Sequence, residues 1–137
     1  MTVAINGTNP QDLLVRRGDT LALYAYRLGN ISGIDDLWFT VKRRLDDDDD
    51  EAELQVSVDG GLLVIDGATA TTPANGSITV VDAAVGNLTV DVAAVEIAKL
   101  HGNYVGYWDI QTIDGAVVET LVYGNIRIYG DVTRSTS

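Results

Sequence analysis

Cysteine is absent from the chain, which excludes a disulfide framework, a thiolate nucleophile and any cysteine-held zinc, and fits a reducing cytosol. The single histidine, His101, has no second imidazole with which to share a metal. No serine or acid is patterned with it as a nucleophilic relay, so it reads as a turn residue between Leu100 and Gly102. Basic residues are scarce. Nine Lys and Arg face twenty Asp and Glu, a formal net charge of −11, the reverse of what phosphate binding demands. No apolar run approaches the ~20 residues of a membrane-spanning helix. The opening Met1-Thr-Val-Ala-Ile5-Asn6 has neither the basic flank nor the apolar stretch of a signal peptide, so the protein is expected to stay where it is made. No general acid–base pair presents itself, and the chain reads as a non-enzyme without a cofactor or metal.

What the sequence does have is alternation. Hydrophobic residues make up 46% of 137 positions, enough for one domain with a core of its own. In the last third, Tyr104, Gly106, Trp108 and Ile110 fall on one face and Val105, Tyr107, Asp109 and Gln111 on the other, the period of a half-buried strand. Asp114-Gly115 suits a two-residue hairpin turn, and Val118, Thr120, Val122, Ile126 and Ile128 form the return run. Earlier strand-like runs are Leu13–Val15, Leu21 to Ala25, Leu37 to Val41, Leu54 to Val58, Leu62–Ile65, Ile78–Val81 and Leu88–Val92, separated by turn pairs such as Gly60-Gly61 and Asn75-Gly76. Only Ala93 to Lys99 is helical in composition, a single turn crossing between sheets. The expected fold is all-β, an antiparallel immunoglobulin-like β-sandwich with at most one short helical turn, a closed barrel being the alternative. The division is an N-terminal arm over 1–11, the sandwich over 12–134 and a tail over 135–137.

Several segments invite a sharper reading. Asp46 to Asp50 with Glu51 carry six negative charges, leaving −11 + 6 = −5 for the rest of the chain. Calcium loops space their carboxylates around a glycine, and five consecutive aspartates do not. This run reads as a solvated loop partly offset by Arg43 and Arg44. Arg17-Gly18-Asp19 spells an integrin-binding tripeptide but sits where a tight turn must join two strands. Four glycosylation patterns, at Asn6, Asn30, Asn75 and Asn87, are idle without secretion. Tyr24, Tyr26, Tyr107, Tyr123 and Tyr129 either pack on strands or make an aromatic surface. Tyr107 is the foremost of these, because it faces away from Trp108. The arm alternates too, with Val3 and Ile5 on one side, and is expected to pair with a neighbouring chain or its own sheet edge. Val3, Ile5 and Tyr107 are therefore the candidate partner-interface residues.

Leu100, Gly102 and then Tyr104 entering a late strand resemble the tyrosine corner of immunoglobulin-like sandwiches, whose hydroxyl bonds the backbone of the preceding crossover. Trp38 is out of phase with the usual core tryptophan, since by parity it falls opposite Phe39. Val15-Arg-Arg-Gly18-Asp19-Thr20-Leu21, Trp38-Phe-Thr40-Val-Lys42-Arg43, Gly102-Asn-Tyr104 through Gln111, and Thr120-Leu121-Val-Tyr-Gly124-Asn-Ile126 to Arg134 occur in that order. Together they resemble the small immunoglobulin-like structural proteins of tailed bacteriophages, related to the N-terminal domain of the phage baseplate upper protein family. The resemblance spans roughly 12–134. It implies a virion component made in the bacterial cytoplasm, present in many copies, whose partners are capsid, neck, tail or baseplate proteins rather than nucleic acid or membrane. A carbohydrate-binding or host-adhesion module is the alternative function.

Overall fold

The computed structural model of the protein describes residues 2–48, 51–100 and 102–130. The strands are β1 (Thr2–Asn6), β2 (Leu13–Arg16), β3 (Leu21–Tyr26), β4 (Asp36–Lys42), β5 (Leu54–Ser57), β6 (Gly61–Ile65), β7 (Ala68–Thr69), β8 (Gly76–Asp82), β9 (Asn87–Val92), β10 (Tyr104–Asp114) and β11 (Val117–Tyr129). One sheet has the order β1-β3-β9-β8 and the other β2-β11-β10-β4-β5-β6-β7. With β1, β3, β9 and β8 as A, B, E and D, and β11, β10, β4, β5 and β6 as G, F, C, C′ and C″, this is the strand order of a variable-type immunoglobulin sandwich. Among the described residues the two sheets do not join, so the sandwich and not the closed barrel is the form seen.

Alternation builds the core. Leu21, Leu23 and Ala25 of β3 and Leu88, Val90 and Val92 of β9 point inward, and Leu37, Phe39 and Val41 of β4 meet them from the opposite sheet. Trp108, Ile110, Val122, Ile126 and Ile128 complete the contact, each buried side chain contributing about 1.5–3 kcal/mol. Phe39 and Trp108 pack ring to ring at 6.2 Å between centroids, with a tilt of 35°. Trp38 lies on the outer face, as its parity requires, and its indole donates to Asp36 Oδ2 at 2.8 Å. The core tryptophan therefore comes from β10 and not β4. The helical turn α1 (Ala94–Ile97) carries the chain from β9 in one sheet to β10 in the other.

Five expectations need correction. The sandwich is not wholly antiparallel: β1 pairs parallel to β3, and β2 parallel to β11. The chain reverses between β1 and β2 and again at the Arg17-Gly18-Asp19 turn, so β1 and β3 point the same way. Residues 1–11 are consequently not an arm, since β1 is the edge strand of the smaller sheet. A second short helical turn, 3-10 in type, occupies Pro73–Asn75, where the fixed φ of proline suits a first helical position. Finally, Asp114 pairs with Val117, so the hairpin turn is Gly115-Ala116, with Gly115 at φ +60°. A glycine at the first of two loop positions is the II′ pattern. The return strand also breaks period, because a bulge skips Leu121 between the pairs Ile110–Val122 and Gln111–Thr120. Val118 and Thr120 are thereby turned to the outer face while Val122, Ile126 and Ile128 stay in the core.

The Arg17-Gly18-Asp19 segment is a turn, closed by Asp19 N donating to Arg16 O at 3.2 Å with Gly18 at φ +87°. The Arg17 guanidinium donates to the Ala98 carbonyl at 3.0 Å, which ties this turn to the α1 crossover.

Candidate functional site

The inward residues of β4, β10 and β11 are apolar, so the same three strands must present their remaining side chains on the outer face of the larger sheet. Register arranges these as a grid. Lys42, Tyr107 and Asn125 lie side by side in one row, and Thr40, Asp109 and Tyr123 in the next. Tyr107 and Tyr123 are thus diagonal neighbours, a spacing of about 7–8 Å in a sheet. Asp109 and Asn125 occupy the crossing diagonal. A third row adds Trp38, Gln111 and Thr120, with Gln111 Nε2 donating to Thr120 Oγ1 at 3.3 Å. Part of this floor is rigid: Thr40 and Gln55 are buried although they face outward, and Gln55 Nε2 donates to Thr40 Oγ1 at 3.2 Å.

The grid is a trough rather than an open plane. Leu45, just beyond β4, and Pro10 and Asp12, between β1 and β2, stand at its sides and enclose about 610 Å³. That volume lies within the range of small-molecule sites. The Pro10–Asp12 wall is held by a close backbone approach at Gly124. A Cβ there would lie 1.6 Å from the Gln11 carbonyl oxygen and 2.9 Å from Trp108 Nε1, so only glycine fits. The indole of Trp108 in turn donates to that carbonyl at 2.9 Å. Core, wall and cleft floor therefore meet at one point.

A second, charged hollow of about 380 Å³ lies between Arg43, Arg44, Asp47, Glu51, Glu53 and Asp66. Within the acidic segment, Arg44 N donates to Asp47 Oδ2 at 3.2 Å and Asp48 N to Glu51 Oε1 at 3.4 Å, so its described part is folded into turns; Asp49 and Asp50 lie outside the described residues. Among the described residues Arg43 is turned toward Glu53. It reaches the buried Glu53 carboxylate (Nε to Oε1, 3.8 Å) and covers the Tyr104 ring at 5.6 Å. Among the described residues no group of three or more acids or histidines converges as a metal site.

Tyr104 departs from the tyrosine-corner pattern. Its hydroxyl is buried and has no backbone partner among the described residues; its environment is set by Glu53 and Arg43. Burial pushes the phenol pKa up, the Glu53 carboxylate adds to the rise, and Arg43 opposes it. His101 lies outside the described residues.

Of the three candidate interface residues, the structure brings only Tyr107 to a surface site. Val3 packs against the core and Ile5 is 0% exposed within it, because β1 completes its own sheet. Of the two partners expected for this segment it is therefore the chain's own sheet edge that is seen, with Ile5 in the core and Val3 half-buried against it. All five singled-out tyrosines are on the surface, on two separate faces. Tyr24 and Tyr26 stack on the smaller sheet at 6.2 Å, 8° from parallel, while Tyr107, Tyr123 and Tyr129 lie on the larger. The neighbours of Tyr107 escaped sequence reasoning, although the outward pairs Thr40/Lys42, Tyr107/Asp109 and Tyr123/Asn125 carry the right parity. Compared with known proteins, the chain matches no protein-family model and no curated protein sequence.

Proposed function

We propose that this chain is a non-enzymatic structural protein of a tailed-bacteriophage particle, docking on the head and neck or on the tail and baseplate as a decoration or adaptor. The observation that carries the reading is where its resembling segments fall. Val15–Leu21 leaves β2 for β3, Trp38–Arg43 overlaps β4, Gly102–Gln111 enters β10, and the segment from Thr120 to Arg134 runs along β11, its last four residues lying outside the described ones. The strands β2, β11, β10 and β4 are consecutive in one sheet, so the resemblance follows a structural unit rather than scattered strings.

Docking by such a sandwich falls to its uncovered edges. Strand β2 pairs with β11 over Ile126–Tyr129, and backbone bonds from Gln11 N to Tyr123 O and from Arg17 N to Tyr129 O extend that contact at its two ends. The stretch 117–121 has no second strand beside it among the described residues, and it exposes Val117 (64%) and Val118 (59%). An apolar, unpaired strand end of this kind favours addition of a partner's strand. Many copies on one lattice would reinforce weak individual contacts through effective concentration.

The test is composition of the particle. Phage particles released from the strain that carries this gene are banded on a density gradient, washed and analysed by mass spectrometry. The expected result is this protein at a copy number of several per particle or more, lowered by Val118→Glu. Its absence from washed particles overturns the reading.

A further inference from the structure

We propose that the trough on the outer face of the larger sheet is a binding site for a neutral saccharide. The inference stands on the cleft alone and does not depend on the particle reading. Its chemistry selects the ligand class. Tyr107 and Tyr123, both exposed and both lining the trough, put two aromatic side chains on one diagonal, and aromatic faces stack on the C–H face of a sugar ring. Asp109 and Asn125, on the crossing diagonal, add an acceptor and a mixed donor–acceptor to the same lining, the combination that ring hydroxyls use. A purely apolar ligand would strip water from the Asn125 amide without replacing its hydrogen bonds, which is costly. Among the described lining residues the charges are Lys42 against Asp12 and Asp109, a net negative set on a chain of net charge −11, which disfavours an anionic ligand. An extended peptide pairs with a sheet edge and not with a face whose backbone groups are already bonded between strands. A neutral polyhydroxyl ring satisfies the rings, the polar groups and the charge together.

The site is also preformed. Its floor residues come from three adjacent strands, and its Pro10 wall is fixed by the Trp108–Gln11 hydrogen bond, so little ordering is left to occur on binding.

The full-length chain is screened on an array of neutral and acidic glycans, and the strongest neutral hit is titrated by calorimetry. Binding of at least one neutral glycan is expected, with Tyr107→Ala and Tyr123→Ala each weakening it roughly tenfold. Tyr107→Phe should retain most of the affinity, and Tyr24→Ala, on the other sheet, all of it. Urea midpoints are measured alongside. Should Tyr107→Ala not fold, Asn125→Ala reports the same loss without removing a ring. No neutral glycan bound, binding confined to acidic glycans, or affinity unchanged in the folded cleft variants overturns the proposal.

Discussion

The indole nitrogen of Trp108 donates to the carbonyl of Gln11 across 2.9 Å, joining the middle of β10 to the segment between β1 and β2, 97 positions away in sequence. A large core aromatic thereby holds the N-terminal region in place as well as filling space. Trp108→Phe keeps a ring but leaves the Gln11 carbonyl without its donor, a loss of about 1–3 kcal/mol. Trp108→Ala adds a cavity and should cost about 3–5 kcal/mol. Urea denaturation measures both, and a phenylalanine variant as stable as wild type would show that water replaces the indole without cost.

Gly124 depends on the same contact. An alanine there needs the space of the Gln11 carbonyl, 1.6 Å from its Cβ, so the Pro10–Asp12 segment must move and the Trp108 bond must break. Gly124→Ala should lose about 3 kcal/mol, the upper end of overpacking costs, and shift the tryptophan fluorescence. Gly115 gives the contrast. It has open space around it but sits at φ +60°, so Gly115→Ala should cost only about 1–2 kcal/mol of backbone strain and leave the fluorescence alone. Equal losses in the two variants would remove the distinction between crowding and strain.

Strand β1 behaves as part of the domain. Its five residues pair with β3, and Ile5 is wholly buried. Removing residues 1–7 should therefore destabilise the isolated chain by about 3 kcal/mol or more, from one buried isoleucine and a lost ladder. Calorimetric melting of the truncated protein checks this. A melting temperature equal to that of the full chain would restore the picture of a dispensable arm.

Where the fold was legible in the sequence, one residue pattern sufficed. The inward faces of β3, β4 and β10 follow from alternation at Leu21/Leu23/Ala25, Leu37/Phe39/Val41 and Trp108/Ile110. The place of β1 was not legible, because Val3 and Ile5 alternate identically whether they complete their own sheet or another chain's. The bulge at Leu121 was hidden for a related reason, since one extra residue changes parity without changing composition. The candidate site was half visible. Parity alone put Tyr107 outward, but its neighbours Asn125 and Lys42 are set by strand register between segments far apart in the chain.

Tyr104 provides a pH signature. Its phenol is buried beside the Glu53 carboxylate, and both features favour the protonated form in the folded chain. At neutral pH the group is protonated folded or unfolded and contributes nothing to pH dependence. Above about pH 10 an unfolded tyrosine ionises while the folded one keeps its proton. The unfolded state then binds fewer protons, so stability present below pH 10 is lost progressively as pH rises. Urea midpoints measured upward from pH 9 should fall in the wild type and fall less steeply in Tyr104→Phe. Absorbance at 295 nm should show one of the six tyrosines ionising only as the protein unfolds, a component missing from the variant. An equally steep decline in Tyr104→Phe would assign the alkaline sensitivity to another group and leave the Tyr104–Glu53 contact without a role in it.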